Sequence, residues 1–594
     1  MSLLYALIGL LSSVAGQLDS GPVQLQYESQ LLKAPVPFAG KLFGETVLVA
    51  DVDADGFGDV IAVERRANLP GVSQAGIAWV YHGPTLHGPA TMVASSHATD
   101  DEELGWATGA PPSADFEDVN GDGFPDILLA AYAWEDHESN LDIVGRVHVF
   151  LGPNYRDELI LKDENPTENA LFGSGLLVHD VDGDGLFDVV VGAPGAPGHV
   201  SGIASEGRVW IYWGLDLAVG VVNQPTLLAL PVDNPNPSLP AWFGYAIRAA
   251  QYDADGVEDL WVSAGMLGVP PAPFGWGTIY VFDGVTQEHV ATIPSPGGKS
   301  RFSDLRAKRD FSGDGIDDVL VAAPLSTWKP PNPLNAVSDA GALIMLLGPD
   351  YTTIGWEVWS PKPHSGEAFG AKSFLVDVDL DGEAELIVGD QGGVTASGVE
   401  GTVRVFHGFD YKIVQTLTDT SGMSHHNLGW NVATGDIDGD GIPEILGSSV
   451  EPGSAGSVLV WSSLTLTASA DSVSVSQGGT VQLTVRLPAQ AGHVYAGLLS
   501  VSGTGQGVVL GPGSWLPLVP DAITEAGLGA LGTPLLPGFA GVLNEGGQAT
   551  FGLVWPPGLG PSLIGNQLTI AVLTSPDSLQ AGPASSAVTI SFDP

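Results

Sequence analysis

The sequence predicts an all-β protein, a seven-bladed β-propeller followed by a C-terminal β-sandwich, and three observations carry that expectation. An acidic nine-residue loop recurs seven times. Short runs of β-branched and aromatic residues flank every copy. Past residue 463 the loop no longer occurs and the composition changes. The loops open at Asp51, Asp118, Asp180, Gln251, Asp310, Asp377 and Asp436, at intervals of 67, 62, 71, 59, 67 and 59 residues. A period of this length, kept over most of a chain, marks stacked or circularly arranged units.

The loop pattern places oxygen-bearing side chains at positions 1, 3, 5 and 9, with glycine at position 6. That spacing lets a short backbone turn wrap Ca²⁺, which takes hard oxygen ligands, while glycine supplies the bend. The expected ligands of the first three loops are Asp51, Asp53, Asp55 and Asp59; Asp118, Asn120, Asp122 and Asp126; and Asp180, Asp182, Asp184 and Asp188. The fourth loop offers Asp253, Asp255 and Asp259. Its first position is the neutral Gln251, so it is expected to bind weakest. The fifth offers Asp310, Ser312, Asp314 and Asp318, the sixth Asp377, Asp379, Asp381 and Glu385, and the seventh Asp436, Asp438, Asp440 and Glu444. Mg²⁺ is disfavoured because it resists full dehydration into such a cage. Asp and Gly also make good turns without metal, through Asx-type hydrogen bonds and positive φ. Recurrence of an acid at position 9 in all seven copies argues for several structural Ca²⁺ ions, up to seven.

Composition agrees. The 594 residues contain 80 Gly and 44 Pro, and 44% are hydrophobic, too many for a disordered chain and suited to turn-rich β structure. The formal net charge is −48, and 25 of the 68 acidic residues stand at positions 1, 3, 5 and 9 of the seven loops. Seven Ca²⁺ ions would bring the charge to −34, still strongly negative. With 20 basic residues and no basic run, binding to a nucleic-acid backbone or an anionic membrane surface is disfavoured. There is no cysteine, so disulfides are excluded. Ca²⁺ loops work where free Ca²⁺ is plentiful, which points to a secreted or cell-surface location. Residues 1–16 are a possible signal peptide, with an apolar Leu3–Leu11 and a small-residue Ser13-Val14-Ala15, although a basic start is missing. A buried first strand is the other reading. No further stretch is long and apolar enough to span a bilayer.

One unit shows how the propeller expectation arises. Leu176–His179 leads into the third loop. Val189-Val190-Val191-Gly192-Ala193-Pro194, then Gly207–Gly214 and Thr226–Leu230, complete four short strands. One antiparallel sheet cannot bury both faces alone, and sheets arranged around an axis solve that. Units one to six each have a fourth strand. Unit seven lacks one, while Val23–Glu28 alternates apolar and polar ahead of unit one, so this N-terminal strand is expected to close blade seven. The propeller would then occupy residues 22–463.

The units resemble the FG-GAP repeats of integrin α-subunit propellers and related bacterial secreted proteins. Phe-Gly opens four of them, at Phe43-Gly44, Phe172-Gly173, Phe243-Gly244 and Phe369-Gly370, and becomes Leu-Gly at Leu104-Gly105 and Leu428-Gly429. Gly192-Ala193-Pro194 keeps the second element, which drifts to Ala322-Ala323-Pro324. The resemblance covers about residues 38–462. Residues 466–594, where Arg486 is the single Lys or Arg, alternate in runs such as Val481–Leu487, Gln567–Leu573 and Ala587–Phe592. They suit an Ig-like β-sandwich and resemble C-terminal domains of large secreted bacterial proteins.

No catalytic motif stands out. Gly71-Val72-Ser73-Gln74-Ala75 only approaches a nucleophile elbow, His148 sits in an expected strand, and the adjacent His425 and His426 would point to opposite faces. Aromatic residues in the connections after each second strand, Tyr132, Trp134, Phe274, Trp276 and Trp328, either cap the blade cores or present rings to a sugar or protein. The expected function is therefore a non-enzymatic, calcium-binding propeller acting in adhesion or in binding an extracellular glycan or protein. An extracellular polysaccharide-degrading enzyme built on the same body is the alternative, its carboxylate pair hidden among the many acids.

Overall fold

The computed structural model describes residues 27–593 apart from 37–39, 84–85, 87, 106–113, 199–201, 219, 221, 223–224, 232–239, 254–255, 267–275, 297–301, 303, 310–315, 330–335, 366, 379–383, 392–400, 407–412, 419–426, 438–441, 451–454, 464, 471, 488–491, 503–507, 512–513, 517–520, 532, 545–546, 559–563 and 576–583. The expected signal segment lies outside the described residues. So do Phe274, His425, His426 and the loop residues Asp255, Asp310, Ser312, Asp314, Asp379, Asp381, Asp438 and Asp440.

Seven four-stranded sheets make up the compact unit Ser29–Val460. Blade one runs Phe43–Ala50, Asp59–Glu64, Ile77–Tyr81, Thr91–Val93. Blade two runs Ala114–Glu117, Asp126–Ala131, Arg146–Phe150, Glu158–Leu161. Blade three runs Gly175–His179, Asp188–Ala193, Arg208–Tyr212, Thr226–Ala229. Blades four to six follow the same plan from Phe243–Ala250, Asp304–Arg309 and Ser373–Val376. Strand order within each of these six sheets is sequential. The first strands touch one another in chain order, and Leu428–Gly435 of blade seven returns to Phe43–Ala50 of blade one, closing the ring.

Blade seven takes Leu428–Gly435, Glu444–Ser449 and Ser457–Ser463 from the end of the array and Tyr27–Leu32 from its start. The closing strand overlaps the expected segment at Tyr27 and Glu28 and continues four residues beyond it.

Every second strand is buried along its whole length, as in Asp188–Ala193 and Asp318–Ala323, because each blade packs on a neighbour through both faces. The apolar clusters join consecutive blades. Phe172, for example, packs with Leu128, Val147 and Val149 of blade two and with Val189, Val191 and Trp210 of blade three. Phe43, Phe172, Phe243 and Phe369 are all 0% exposed, which is why an aromatic recurs at that point. Blade five has its own version in Phe302, likewise 0% exposed. It was not among the expected Phe-Gly positions because Ser303 follows it. The missed signal was its offset, eight residues before its loop, as for Phe43 and Phe243.

The Phe-Gly amide reaches back to the previous blade. Phe243 N–H donates to Glu206 O at 3.0 Å, and Phe243 pairs with Gly207 in a parallel bridge. Gly207 has φ +95°, and a Cβ there would lie 2.0 Å from the Phe243 carbonyl oxygen, so only glycine permits the approach.

Residues Trp461–Pro594 belong to a second unit. A three-stranded sheet of Thr465–Ala468, Gly479–Arg486 and Gln548–Trp555 shares one core with a five-stranded sheet built on Val494–Ser500, Gln567–Ser575 and Ala584–Asp593. Leu483 and Phe551 of the first sheet meet Leu499, Ile570 and Ile590 of the second, the arrangement of a sandwich. A helix absent from the sequence expectation, Ala522–Gly529, starts at Asp521, whose carboxylate accepts from Ile523 N and Thr524 N in a capping box.

Candidate metal centres

In the three loops described throughout, the carboxylates at positions 1, 3 and 5 shape the turn by accepting backbone N–H bonds. Asp180 accepts from Asp184 N at 3.0 Å and Gly185 N at 3.0 Å, Asp182 accepts from Asp184 N at 3.2 Å, and Asp184 accepts from Leu186 N at 2.9 Å. The loops at Asp51 and Asp118 repeat these contacts. Asx-type bonding therefore coexists with a ligand-like array. It folds the loop so that several acids converge, a costly arrangement without a countercharge.

Position 9 behaves differently. It is the first residue of each second strand and is at most 2% exposed in all seven blades, from Asp59 and Asp126 at 0% to Glu444 at 2%. In six blades its carboxylate accepts the position 2 amide: Val52, Val119, Val181, Tyr252, Val378 and Ile437 donate at 2.7–3.1 Å. In four blades the Asp accepts from the glycine that follows the third strand, Gly83, Gly152, Gly214 or Gly348, at 2.7–3.0 Å, and in the first three of these it holds the position 2 amide as well. The position 9 acid thus ties loop, second strand and third strand together. The sequence pattern assigned it only as a ligand, and its recurrence has this second cause.

Burial pushes the Asp126 and Asp188 carboxyls up to about 6, against the pull of the two amide bonds, and the neighbouring loop acids push the same way. Asp59 moves in the same direction for the same leading reason. Among the described residues, three groups of ligand atoms lie within 4.8 Å of one another: Asp51, Asp53 and Asp55; Asp180, Asp182 and Asp188; and Asp53, Asp59 and His82. The first two are all-oxygen sets, the donor chemistry that suits Ca²⁺. Asp118, Asn120, Asp122 and Asp126 form the same loop with one neutral donor. Of the fourth loop, Gln251, Asp253 and Asp259 are described, with Asp259 buried beneath Tyr252 N. Asp318, Asp377, Glu385, Asp436 and Glu444 are the described ligand candidates of the last three loops.

The other candidates resolve into packing. Tyr132 is 5% exposed, so as a surface ring it is a correction: it belongs to the core. Trp134 is half-buried on the cluster between blades one and two, with the Arg146 guanidinium 4.6 Å above its ring. Trp276 and Trp328 are half-buried, and Trp328 exchanges backbone bonds with Val337 at 2.9 and 3.0 Å. Ser73 donates to Asp100 at 3.0 Å, which makes the near-elbow segment a loop brace.

His148 is the centre of a buried ionic network. It is 0% exposed, with Nε2 2.6 Å from Glu102 and Nδ1 3.4 Å from Glu158. Arg146 pairs with Glu102 at 2.6 Å, and His97 closes on Glu158. Burial works to raise the Glu158 carboxyl, but its hydrogen bonds with His148 and His97 prevail and bring it down to about 2. A second network holds two acids together. Burial and the charge of Asp390 push Glu367 up to about 8, while Arg404 grips Asp390 through Nε and Nη2, both at 2.7 Å. Both acids are at most 2% exposed. Sequence could not assemble either network, because their members come from separate strands and loops.

Comparison with known proteins agrees with this architecture. An FG-GAP repeat model matches residues 172–212, which run from the blade-three Phe-Gly through its acidic loop to the end of its third strand. Integrin alpha-5 of Xenopus laevis is 24% identical over 214 residues, covering 35% of this chain and 20% of that protein. Integrin alpha-V of Gallus gallus is 27% identical over 259 residues, 43% of this chain and 23% of its own. Phosphatidylinositol-glycan-specific phospholipase D of Mus musculus is 29% identical over 154 residues, 25% of this chain and 18% of that protein. The match spans about a fifth of each relative's length. The chain thus carries an FG-GAP repeat in blade three and is distantly related to integrin alpha subunits. Among the described residues, no helix is long and apolar enough to cross a membrane.

Proposed function

We propose that this protein is a non-enzymatic, calcium-stabilised propeller that works outside the cell, secreted or at its surface, in adhesion or in binding a glycan or protein ligand. Residues 22–463 would form the propeller domain and 466–594 the sandwich. The observation that supports it is the convergence of Asp51, Asp53 and Asp55, and of Asp180, Asp182 and Asp188, on all-oxygen sites in an integrin alpha-like array. Ca²⁺, when bound, supplies the positive charge that these turns lack. The chain's own part is to aim the carboxylates: positions 1, 3 and 5 by Asx-type bonds, position 9 by its buried amide contacts. The remaining loop ligands, including Asp255, Asp310, Ser312, Asp314, Asp379, Asp381, Asp438 and Asp440, are assigned on the same repeat.

The test has two parts. Calcium should raise the melting temperature of the full chain, with several equivalents retained after dialysis. Glycan-array and pull-down experiments with calcium present should then yield a ligand whose capture is lost on chelation. A melting curve indifferent to chelator would sink the metal reading, and silence in both binding assays would leave a scaffold role.

A further inference from the structure

Among the described residues, the acidic set in blade one is the one joined by an imidazole; His407 holds the corresponding place in the sequence of blade six and lies outside the described residues. His82 follows the third strand directly, and its Nδ1 lies 3.1 Å from Asp53 Oδ2 and 3.3 Å from Asp59 Oδ1. That nitrogen is shut off from solvent and lacks the alignment of a hydrogen bond to either oxygen. Nε2 sits 3.0 Å from the Thr91 hydroxyl of the fourth strand. With Nε2–H donating to Thr91, the Nδ1 lone pair faces the two carboxylates; a hydrogen bond on the far ring nitrogen is how proteins orient a metal-binding imidazole. Tetrahedral ligands at ~2.0 Å from an ion stand about 3.3 Å apart, close to the separations found here.

We propose that Asp53, Asp59 and His82 form a mixed oxygen–nitrogen site that takes a Zn²⁺-class divalent cation, so that blade one differs in metal preference from the all-oxygen loop of blade three. Imidazole nitrogen suits zinc, cobalt and nickel, whereas Ca²⁺ takes oxygen. The proposal rests on the reading of the acidic loops as cation sites. Blade three provides the internal contrast. There Trp213 occupies the corresponding place after Tyr212, and its Nε1–H donates to Thr226 at 2.9 Å, the position at which His82 Nε2 meets Thr91 in blade one. The adjoining carboxylates, Asp182 and Asp188, converge with Asp180. Blade three thus has the acids and the orienting threonine but no nitrogen ligand.

The experiment uses the full chain, saturated with Ca²⁺ and dialysed against Zn²⁺, with retained zinc counted by elemental analysis. Wild type should hold one zinc equivalent more than His82→Leu. Thr91→Val should weaken that equivalent by about 10–100-fold, the usual effect of removing an orienting partner. Trp213→His should gain one equivalent. In spectra of ¹⁵N-histidine-labelled protein, one fewer imidazole should respond to zinc in His82→Leu than in wild type. Equal zinc retention by wild type and His82→Leu would overturn the proposal. If His82→Leu does not fold, a Trp213→His protein with no added zinc, together with an unaltered Thr91→Val, overturns it equally. Thermal melts with and without Ca²⁺ on the same samples test the underlying reading separately: calcium stabilisation with no extra zinc leaves the loops as calcium sites and removes only the role of His82.

Discussion

Replacing Asp188 separates what position 9 does for the fold from what it does for a cation. Its carboxylate is 1% exposed and accepts Val181 N at 2.8 Å and Gly214 N at 2.7 Å. A hydrogen bond to a charged group contributes roughly 1.5–3 kcal/mol. Asp188→Ala removes both and leaves two buried amides without a partner, a loss of about 3–6 kcal/mol. Asp188→Asn keeps one acceptor oxygen and turns an NH₂ toward the other amide, so it forfeits one bond, about 1.5–3 kcal/mol. The assay is urea unfolding in chelator, followed by tryptophan fluorescence, so no cation contributes. The alanine variant should unfold at the lowest urea concentration and the asparagine variant between it and wild type. If both variants match wild type in chelator and differ only with Ca²⁺ present, position 9 is a ligand alone and the bracing role is wrong.

Two further outcomes follow from the same geometry. Glu158, held near 2 and with a side chain only 3% exposed, has a folded pKa below its ordinary 4.5; such a group stabilises the fold above pH 4.5, and that contribution fades as pH falls toward 2, a change of about 3 kcal/mol. His148→Gln should flatten the acid limb of stability measured across this window, and an unchanged limb would refute the role of the network. Deleting residues 22–32 removes the fourth strand of blade seven, so calorimetry should show a lower and broader propeller transition; an unaltered transition would mean that Tyr27–Leu32 does not hold the ring closed.

The acidic repeat is local in sequence, which is why fold class and loop positions could be read in advance. Nine consecutive residues contain the whole pattern, and the Phe-Gly pair stands at a nearly constant distance before it. What escaped was made by residues distant in sequence. Asp188 meets Gly214 across the sheet, His82 meets Asp53 and Asp59 across a hairpin, and His148 gathers acids from a loop and a neighbouring strand. Phe302 was hidden because the eye follows the dipeptide, whereas the fold requires only the ring at that offset. Tyr132 looked like a surface ring because it lies past the end of a strand, yet it is only 5% exposed.

Tyr27–Leu32 sits beside Ser457–Ser463 in one sheet. Chain entering the propeller and chain leaving it therefore depart from neighbouring strands, and tension applied between them acts first on this single seam. The other six sheets are each continuous in sequence and carry no such join. Under load the circle would open at blade seven, and cations seated elsewhere around it would stiffen sheets that are not the first to part.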